Sequence, residues 1–359
     1  MTKQLFRVDW IIFTAIFGLL IFDLLIIRSI APGLFLQQLT YVLIGIGLFF
    51  LFSRIDWRIY PKFSWFFYFG SLIFLGITLL FGTITRGAIR WIQIGSLTIQ
   101  PSELVKPFLI LFFAWFFSEG EELTLKKIFL GGLLLILPAF LIFTQPDLGS
   151  SLVVILIWLG IILAAGISWR WLVSGFGFFV IVLPLIWQFL KDYQRQRIYT
   201  FINPFADPLK SGYNIIQSII AIGSGQFFGR GLGRGTQSHL RFLPERHSDF
   251  IFASLAEELG FLGALILLSF FAILLWRILT IARKTEDRFG MLICLGIFTM
   301  IFSQIFINIG MNLGLLPITG ITLPLISSGG SSLVAVLISL GIIENMAGFI
   351  KKNEVKYLR

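Results

Sequence analysis

WIIFTAIFGLLIFDLLII, residues 10–27, holds eighteen residues of which only Asp23 is charged. As an α-helix rising 1.5 Å per residue it extends about 27 Å, close to the ~30 Å of hydrocarbon in a bilayer. Runs of the same kind recur at 33–53, 63–82, 100–118, 127–143, 148–166, 170–189, 250–276, 290–311 and 322–349, so the expected fold is all-α with about ten transmembrane helices. Composition agrees: 57% of the 359 residues are hydrophobic and 13% are charged, which excludes an ordinary soluble domain. With no fixed-period repeat, low-complexity stretch or soluble appendage, one membrane domain over 1–359 is expected. The lone cysteine, Cys294, lies in an apolar run and reads as a packing residue. No small-residue cleavage site follows the first run, which therefore reads as a retained span.

An even number of spans puts both termini on one side, and basic residues say which. The connections on the terminal side carry Lys3, Arg7, Arg54, Arg58, Lys62, Lys126, Lys127, Arg170, Arg277, Arg283, Lys284, Arg288, Lys351, Lys352, Lys356 and Arg359; the opposite short connections carry Arg28, Arg86 and Arg90. Sixteen against three places the termini in the cytoplasm by the positive-inside rule. Residues 190–249, between the seventh and eighth spans, then form a large extracytoplasmic loop, long enough to escape that rule.

Ionisable groups inside spans are costly and mark function by default. Glu103 and Lys106 are three residues apart, on one helical face, where they can neutralise each other. Pro107 beside them should kink or open the helix. Asp23 has no evident local partner. Gln304, Asn308 and Asn312, spaced by four, make a polar stripe of the sort that bonds helices together. Pro324 and the run Ser327 to Ser332 suit close packing or an unwound turn. The eighth run is too long for a single crossing, and its first two turns, with Glu257 and Glu258, are expected in a vestibule or interface.

The loop carries eight basic residues against Asp192, Asp207, Glu245 and Asp249, a balance that suits an anionic ligand or lipid head groups. YNIIQSIIAI, 213–222, has isoleucines at helical spacing and is too short to span, so it reads as an interfacial or re-entrant segment. GSGQFFGRGLGRG, 223–235, could cradle phosphate with Arg230 and Arg234, although it lacks the ending of a nucleotide loop. In FLPERHSDF, 242–250, Ser248 or Asp249 could cap the next helix. The alternative is that Asp249, flanked by Glu245, Arg246 and His247, takes a proton from a substrate hydroxyl, with Glu257 and Glu258 keeping the pocket polar.

FLPERHSDFIFASLAEELGFLG closely resembles the most diagnostic segment of the SEDS family, the shape, elongation, division and sporulation membrane proteins. RGAIRWIQIGSLTIQPSELVK, TQPDLGSSLV, FINPFADPLKSGYNIIQSIIAIGSG, GLGRGTQSHLRFLPERHSDFIFA and NLGLLPITGITLPLISSGGSSL resemble further family motifs, in order, over nearly the whole chain. GTQSHLRFLPE and NIIQSIIAIGSG are more similar to the elongation-type, RodA-like branch than to the division-type, FtsW-like one. Departures are Gln226 for a common glycine, Ser248 for a usual threonine, and Ser328 for a frequent tyrosine.

The resemblance implies a peptidoglycan glycosyltransferase that polymerises lipid II on the outer face of the bacterial cytoplasmic membrane. It implies Asp249 as the essential catalytic residue, with Glu103 and Lys106 facing the same cavity. A carboxylate base suits the chemistry, because the sugar 4-hydroxyl must lose its proton as it attacks the anomeric carbon. Arg230, Arg241, Arg246 and His247 are candidates for the diphosphate side of the site, with a divalent cation such as Mg2+ as a further helper and no metal ligands assigned. A class B penicillin-binding protein is the implied partner, beside membrane lipids; nucleic acid is not. The competing readings are a flippase for lipid-linked precursors and a scaffold that only recruits the transpeptidase.

Overall fold

The computed structural model describes residues 8–357, apart from 86–87, 96, 121–122, 190–191 and 209–211. Helices dominate, as the unbroken apolar runs require: in hydrocarbon a backbone must satisfy its own polar groups. The first seven are α1 (Trp10–Ile30), α2 (Phe35–Arg54), α3 (Ser64–Phe81), α4 (Pro101–Ser118), α5 (Leu125–Thr144), α6 (Leu148–Ala164) and α7 (Trp169–Phe189). The loop that follows carries α8 (Asp192–Ile202), α9 (Tyr213–Ser224) and the single turn α10 (Thr236–His239), and the chain returns to the bundle as α11 (Ile251–Lys284), α12 (Arg288–Asn312) and α13 (Gly330–Tyr357). Among the described residues eight helical segments are long and apolar enough to cross a membrane. The sixth expected span is a 17-residue apolar helix, α6, and the seventh falls on the 21 residues of α7. Side chains such as Phe66, Leu80, Phe129 and Phe306 point outward, the pattern of a bundle whose solvent is lipid. Cys294 is buried against Met346, in agreement with a packing role.

Three sequence expectations need correction. The connection between α3 and α4 is a three-stranded antiparallel meander, β1 (Thr83–Thr85), β2 (Ala88–Ile94) and β3 (Leu97–Ile99), with Ile92 opposite Ile99. Only the three-residue strands alternate polar and apolar residues, and β2 breaks the alternation at Trp91 and Ile92, so no period-two signal stands out beside the apolar runs. The tenth helix starts at Gly330 and not at 322, because residues 322–329 form an unwound turn. The third concerns one of the two effects expected of Pro107: α4 runs through it to Ser118 without opening. Pro107 removes one donor, the partner of the Glu103 carbonyl, and the packed bundle tolerates that loss.

As its isoleucine spacing predicts, α9 is amphipathic: Ile215 and Ala221 are buried while Ile219 and Ile220 face out. It lies against α11 and α12, held by Ser218 Oγ donating to the Asn312 carbonyl at 2.8 Å.

α11 is two helices joined at Gly260, whose φ of 67° and ψ of −166° are essentially restricted to glycine. The break frees the Glu257 and Glu258 carbonyls, which would otherwise accept from Phe261 and Leu262. The glycine-rich segment takes up all four groups. Arg230 N and Gly231 N donate to the Glu257 and Glu258 carbonyls at 3.0 and 2.9 Å, while Phe261 N and Leu262 N donate to Gln226 O and Phe227 O at 2.9 and 3.0 Å. Gly229, at φ 82°, has its α-carbon against the Glu258 carbonyl, where a side chain would not fit.

Candidate active site

The first two turns of α4 present Glu103 and Lys106, 6% and 1% exposed, as the three-residue spacing predicts. Lys106 Nζ donates to Glu103 Oε1 at 2.5 Å. Ser150 Oγ of α6 donates to the same oxygen at 3.0 Å, and Gln304 Nε2 of α12 approaches Oε2 at 3.5 Å. The carboxylate is thereby fixed from three helices. A buried pair is worth keeping only when its remaining lone pairs are met in this way.

A second buried acid, Asp147, adjoins this pair and was not singled out by sequence reasoning. It caps α6 by accepting from Ser150 N at 3.1 Å, and its other oxygen accepts from Ser102 Oγ and Gln100 Nε2, each at 2.8 Å. The N-cap position conceals it, since aspartate there has an ordinary structural use. The TQPDLGSSLV stretch was the available signal.

Asp249 stands in the turn directly before α11. The capping reading is not what the structure shows for Ser248, whose hydroxyl turns back to Glu245 Oε2 at 3.0 Å; the N-cap position itself is Phe250. Three successive carbonyls of this turn are clamped. Ser328 N donates to His247 O at 2.8 Å and Ser327 Oγ to Ser248 O at 2.7 Å. Asn308 Nδ2 and Asn312 Nδ2 both donate to Asp249 O at 3.0 Å. The polar stripe on α12 is interhelical glue, as expected, and what it joins is informative. Gln304 meets Glu103 one turn before Asn308 meets Asp249, a rise of about 6 Å along the helix. The unwound turn before α13 completes the clamp, and Gly320 lies beside the Asp249 carboxylate, so a β-carbon there would sit 3.6 Å from Oδ2.

The remaining candidates separate. Arg246 donates through Nε and Nη2 to Ile30 O, at 3.3 and 3.1 Å. Burial, then the nearby Arg241 guanidinium, lowers its pKa below the ordinary arginine value. Arg230 is tied within the loop, to Ser224 O and Thr236 Oγ1, each at 3.3 Å. Arg241 is exposed on a turn with φ 63°. His247 is half-buried and contributes its carbonyl to the clamp.

Two expectations for the loop change. Glu257 and Glu258 are fully buried in packed protein and do not stand in a water-filled vestibule. They bond to the glycine-rich segment and the α10 turn. Glu257 accepts from Gln237 N at 2.8 Å and from Ser238 N and Oγ at 3.0 and 2.5 Å. Glu258 Oε1 accepts from Ser29 Oγ at 2.7 Å and Gly233 N at 3.1 Å, and lies 2.7 Å from His239 Nε2. Arg230 N, Gly231 N and Gly233 N, among the donors expected to cradle phosphate, are therefore spent on protein oxygens. Glycine-rich sequence and an anion-binding loop look alike until those partners are known.

The apolar bundle with buried polar groups strung along α12 defines the class: an integral membrane protein with a polar site built inside its helices. A model of the FtsW/RodA/SpoVE family, described as cell cycle proteins, matches residues 6–352, and the chain belongs to that family, the one its motifs resemble. It is 39% identical to the peptidoglycan glycosyltransferase MrdB of Escherichia coli K12 over 331 residues, covering 91% of this chain and 90% of the relative. Among solved structures it is similar to a chain from a peptidoglycan synthase complex that coordinates polymerization and crosslinking, with a TM-score of 0.83, 30% identity, and coverage of 96% and 98%. The rod shape determining protein RodA of Thermus thermophilus is also similar, with a TM-score of 0.73, 28% identity, and coverage of 96% and 97%.

Proposed function

We propose that this chain polymerises lipid II into glycan strands and that Asp249 is its general base. It is a peptidoglycan glycosyltransferase of the elongation type. The observation that carries the base assignment is the clamp on the backbone of residues 247–249, which fixes the Asp249 carbonyl on α12 one helical turn from where Gln304 meets Glu103. Catalytic groups must be held to within a fraction of an ångström, and a turn fixed at three successive carbonyls meets that need.

In the reaction the Asp249 carboxylate takes the proton of the acceptor sugar's 4-hydroxyl. The oxygen forms a bond to the donor's anomeric carbon, the bond from that carbon to the diphosphate breaks, and undecaprenyl diphosphate leaves with the electron pair. Glu103 and Lys106 orient the cavity wall. Arg241, exposed on its turn, meets the developing diphosphate charge, and His247 flanks it. Arg246 and Arg230 act from further back, through the loop they brace. A divalent cation such as Mg2+, when bound, would supply further neutralisation of the diphosphate charge; among the described residues no three His, Cys, Asp or Glu side chains gather into a site for it.

The prenyl tail stays in the bilayer beside the bundle while the sugars enter from the extracytoplasmic side. Both termini are then cytoplasmic, the whole of 1–359 acts as one membrane domain, and residues 190–249 are external, as the sixteen-to-three basic imbalance supports. The partner is a class B penicillin-binding protein, which supplies crosslinking.

The deciding experiment is lipid II polymerisation in detergent by the complex with its cognate transpeptidase, wild type against Asp249→Asn. Glycan polymer from the wild type separates an enzyme from a flippase, because detergent leaves no two sides to transport between. An inserted, folded Asp249→Asn variant that polymerises normally overturns the general-base assignment.

A further inference from the structure

Asp23 is the one charged residue of the first span, and it plays no part in the chemistry above. It lies fully buried in α1, about 10 Å of helical rise from the helix end near Ile30. Among the described residues it enters no ion pair. A carboxyl retained at such a place is expensive and needs a use.

Its partner is Gln38 of α2, itself buried. Gln38 Nε2 lies 3.0 and 2.9 Å from the two carboxyl oxygens of Asp23 and 3.4 Å from the Ser327 carbonyl. An amide nitrogen carries two hydrogens. One is taken by Asp23, and that contact turns the other toward Ser327. Ser327 belongs to the unwound turn before α13. Its hydroxyl accepts from Leu323 N at 2.8 Å and donates to Ser248 O at 2.7 Å, next to Asp249, while Ser328 N holds His247 O. An unbroken series of contacts therefore leads from Asp23, through Gln38 and Ser327, to the carbonyl of Ser248, whose peptide bond joins it to the proposed base.

We infer that Asp23 is a positioning residue: it fixes the orientation of Gln38, which anchors the Ser327 turn that aims Asp249. Alternative packing alone does not account for the arrangement, since an apolar residue would fill α1 at less cost but leave the Gln38 amide free to rotate away from Ser327. The inference rests on Asp249 being the base, and its consequence is separable. Loss of Asp23 misplaces the carboxylate without removing a substrate contact, so kcat falls and KM stays.

The test is steady-state polymerisation of lipid II by the full chain with its cognate transpeptidase, with thermal unfolding measured on each variant. Asp23→Leu is expected to lower kcat about ten- to a hundredfold, the scale of a 1 Å misplacement, with KM within about threefold. Asp23→Asn keeps an oxygen for Gln38 and should recover most of kcat. Gln38→Met, a near-isostere without the amide, should match Asp23→Leu, and the double variant should be no worse than either. If Asp23→Leu does not fold, Gln38→Met carries the test alone. Wild-type kcat in Gln38→Met, or additive losses in the double variant, overturns the relay. Asp249→Asn is the control: full activity there defeats the base assignment itself, whereas an inactive Asp249→Asn with an unaffected Gln38→Met defeats only the relay.

Discussion

Asn312 binds Asp249 and the helix that follows it at the same time: its Nδ2 donates to the Asp249 carbonyl at 3.0 Å and its Oδ1 accepts from Ala253 N at 3.1 Å. One side chain of α12 thus fixes both the position of the acidic turn and the first turn of α11. Asn312→Leu would leave Ala253 N buried and unmet, at about 1–3 kcal/mol, and the Asp249 carbonyl held by Asn308 alone. A clear drop in thermal unfolding temperature is expected, together with loss of polymerisation. Asn312→Asp keeps the acceptor and loses the donor, so an equal loss of activity with a smaller loss of stability would assign the Asp249 contact to catalysis.

Glu103 and Lys106 form a buried pair, and breaking one side of such a pair costs about 3–5 kcal/mol. Lys106→Met alone should therefore express poorly or melt early. Adding Glu103→Gln removes the stranded charge, and the amide oxygen it introduces can still accept from Ser150. The double variant should regain stability but not lipid II polymerisation. Recovery of both would show that the pair has a structural role only.

Gly260→Ala tests the break in α11. Alanine is strained at φ 67° and ψ −166° by about 1–3 kcal/mol, and its β-carbon would meet Gly229 N and the Phe227 carbonyl. The four exchanged backbone bonds across the break cannot then all form. Reduced thermal stability and faster amide exchange at residues 226–231 are the expected readings; unchanged exchange there would refute the stitching.

Glu257→Ala should release the same loop from a different point. The donors at Gln237 N, Ser238 N and Ser238 Oγ lose their acceptor together. Limited proteolysis is expected to cut within residues 230–240 sooner than in the wild type. Resistance equal to wild type would mean that Glu258 and its partners Ser29 and His239 hold the loop unaided.

The membrane class, most helix positions, the Glu103–Lys106 pair and the suspicion attached to Asp249 were legible from residue type and spacing. Those features depend on neighbours within a few turns or on a hydrophobic period. The strands at 83–99 were overlooked because their alternation is brief, and Asp147 because an N-cap explains it locally. The glycine-rich segment was only partly legible, for a different reason. Its backbone donors were correctly seen as available for oxygen acceptors, but the acceptors, Glu257 and Glu258, lie more than twenty residues away.

The run at residues 10–27 determined by itself that this chain lives in lipid, since eighteen nearly uninterrupted apolar residues have no cheaper solvent. It could not say what its one charge is for. Gln38, fifteen residues on, and Ser327, three hundred away, became partners of Asp23 only when α1, α2 and the turn before α13 packed together. Buried polar groups draw their meaning from whichever donors the fold delivers, and that delivery is a property of the tertiary structure.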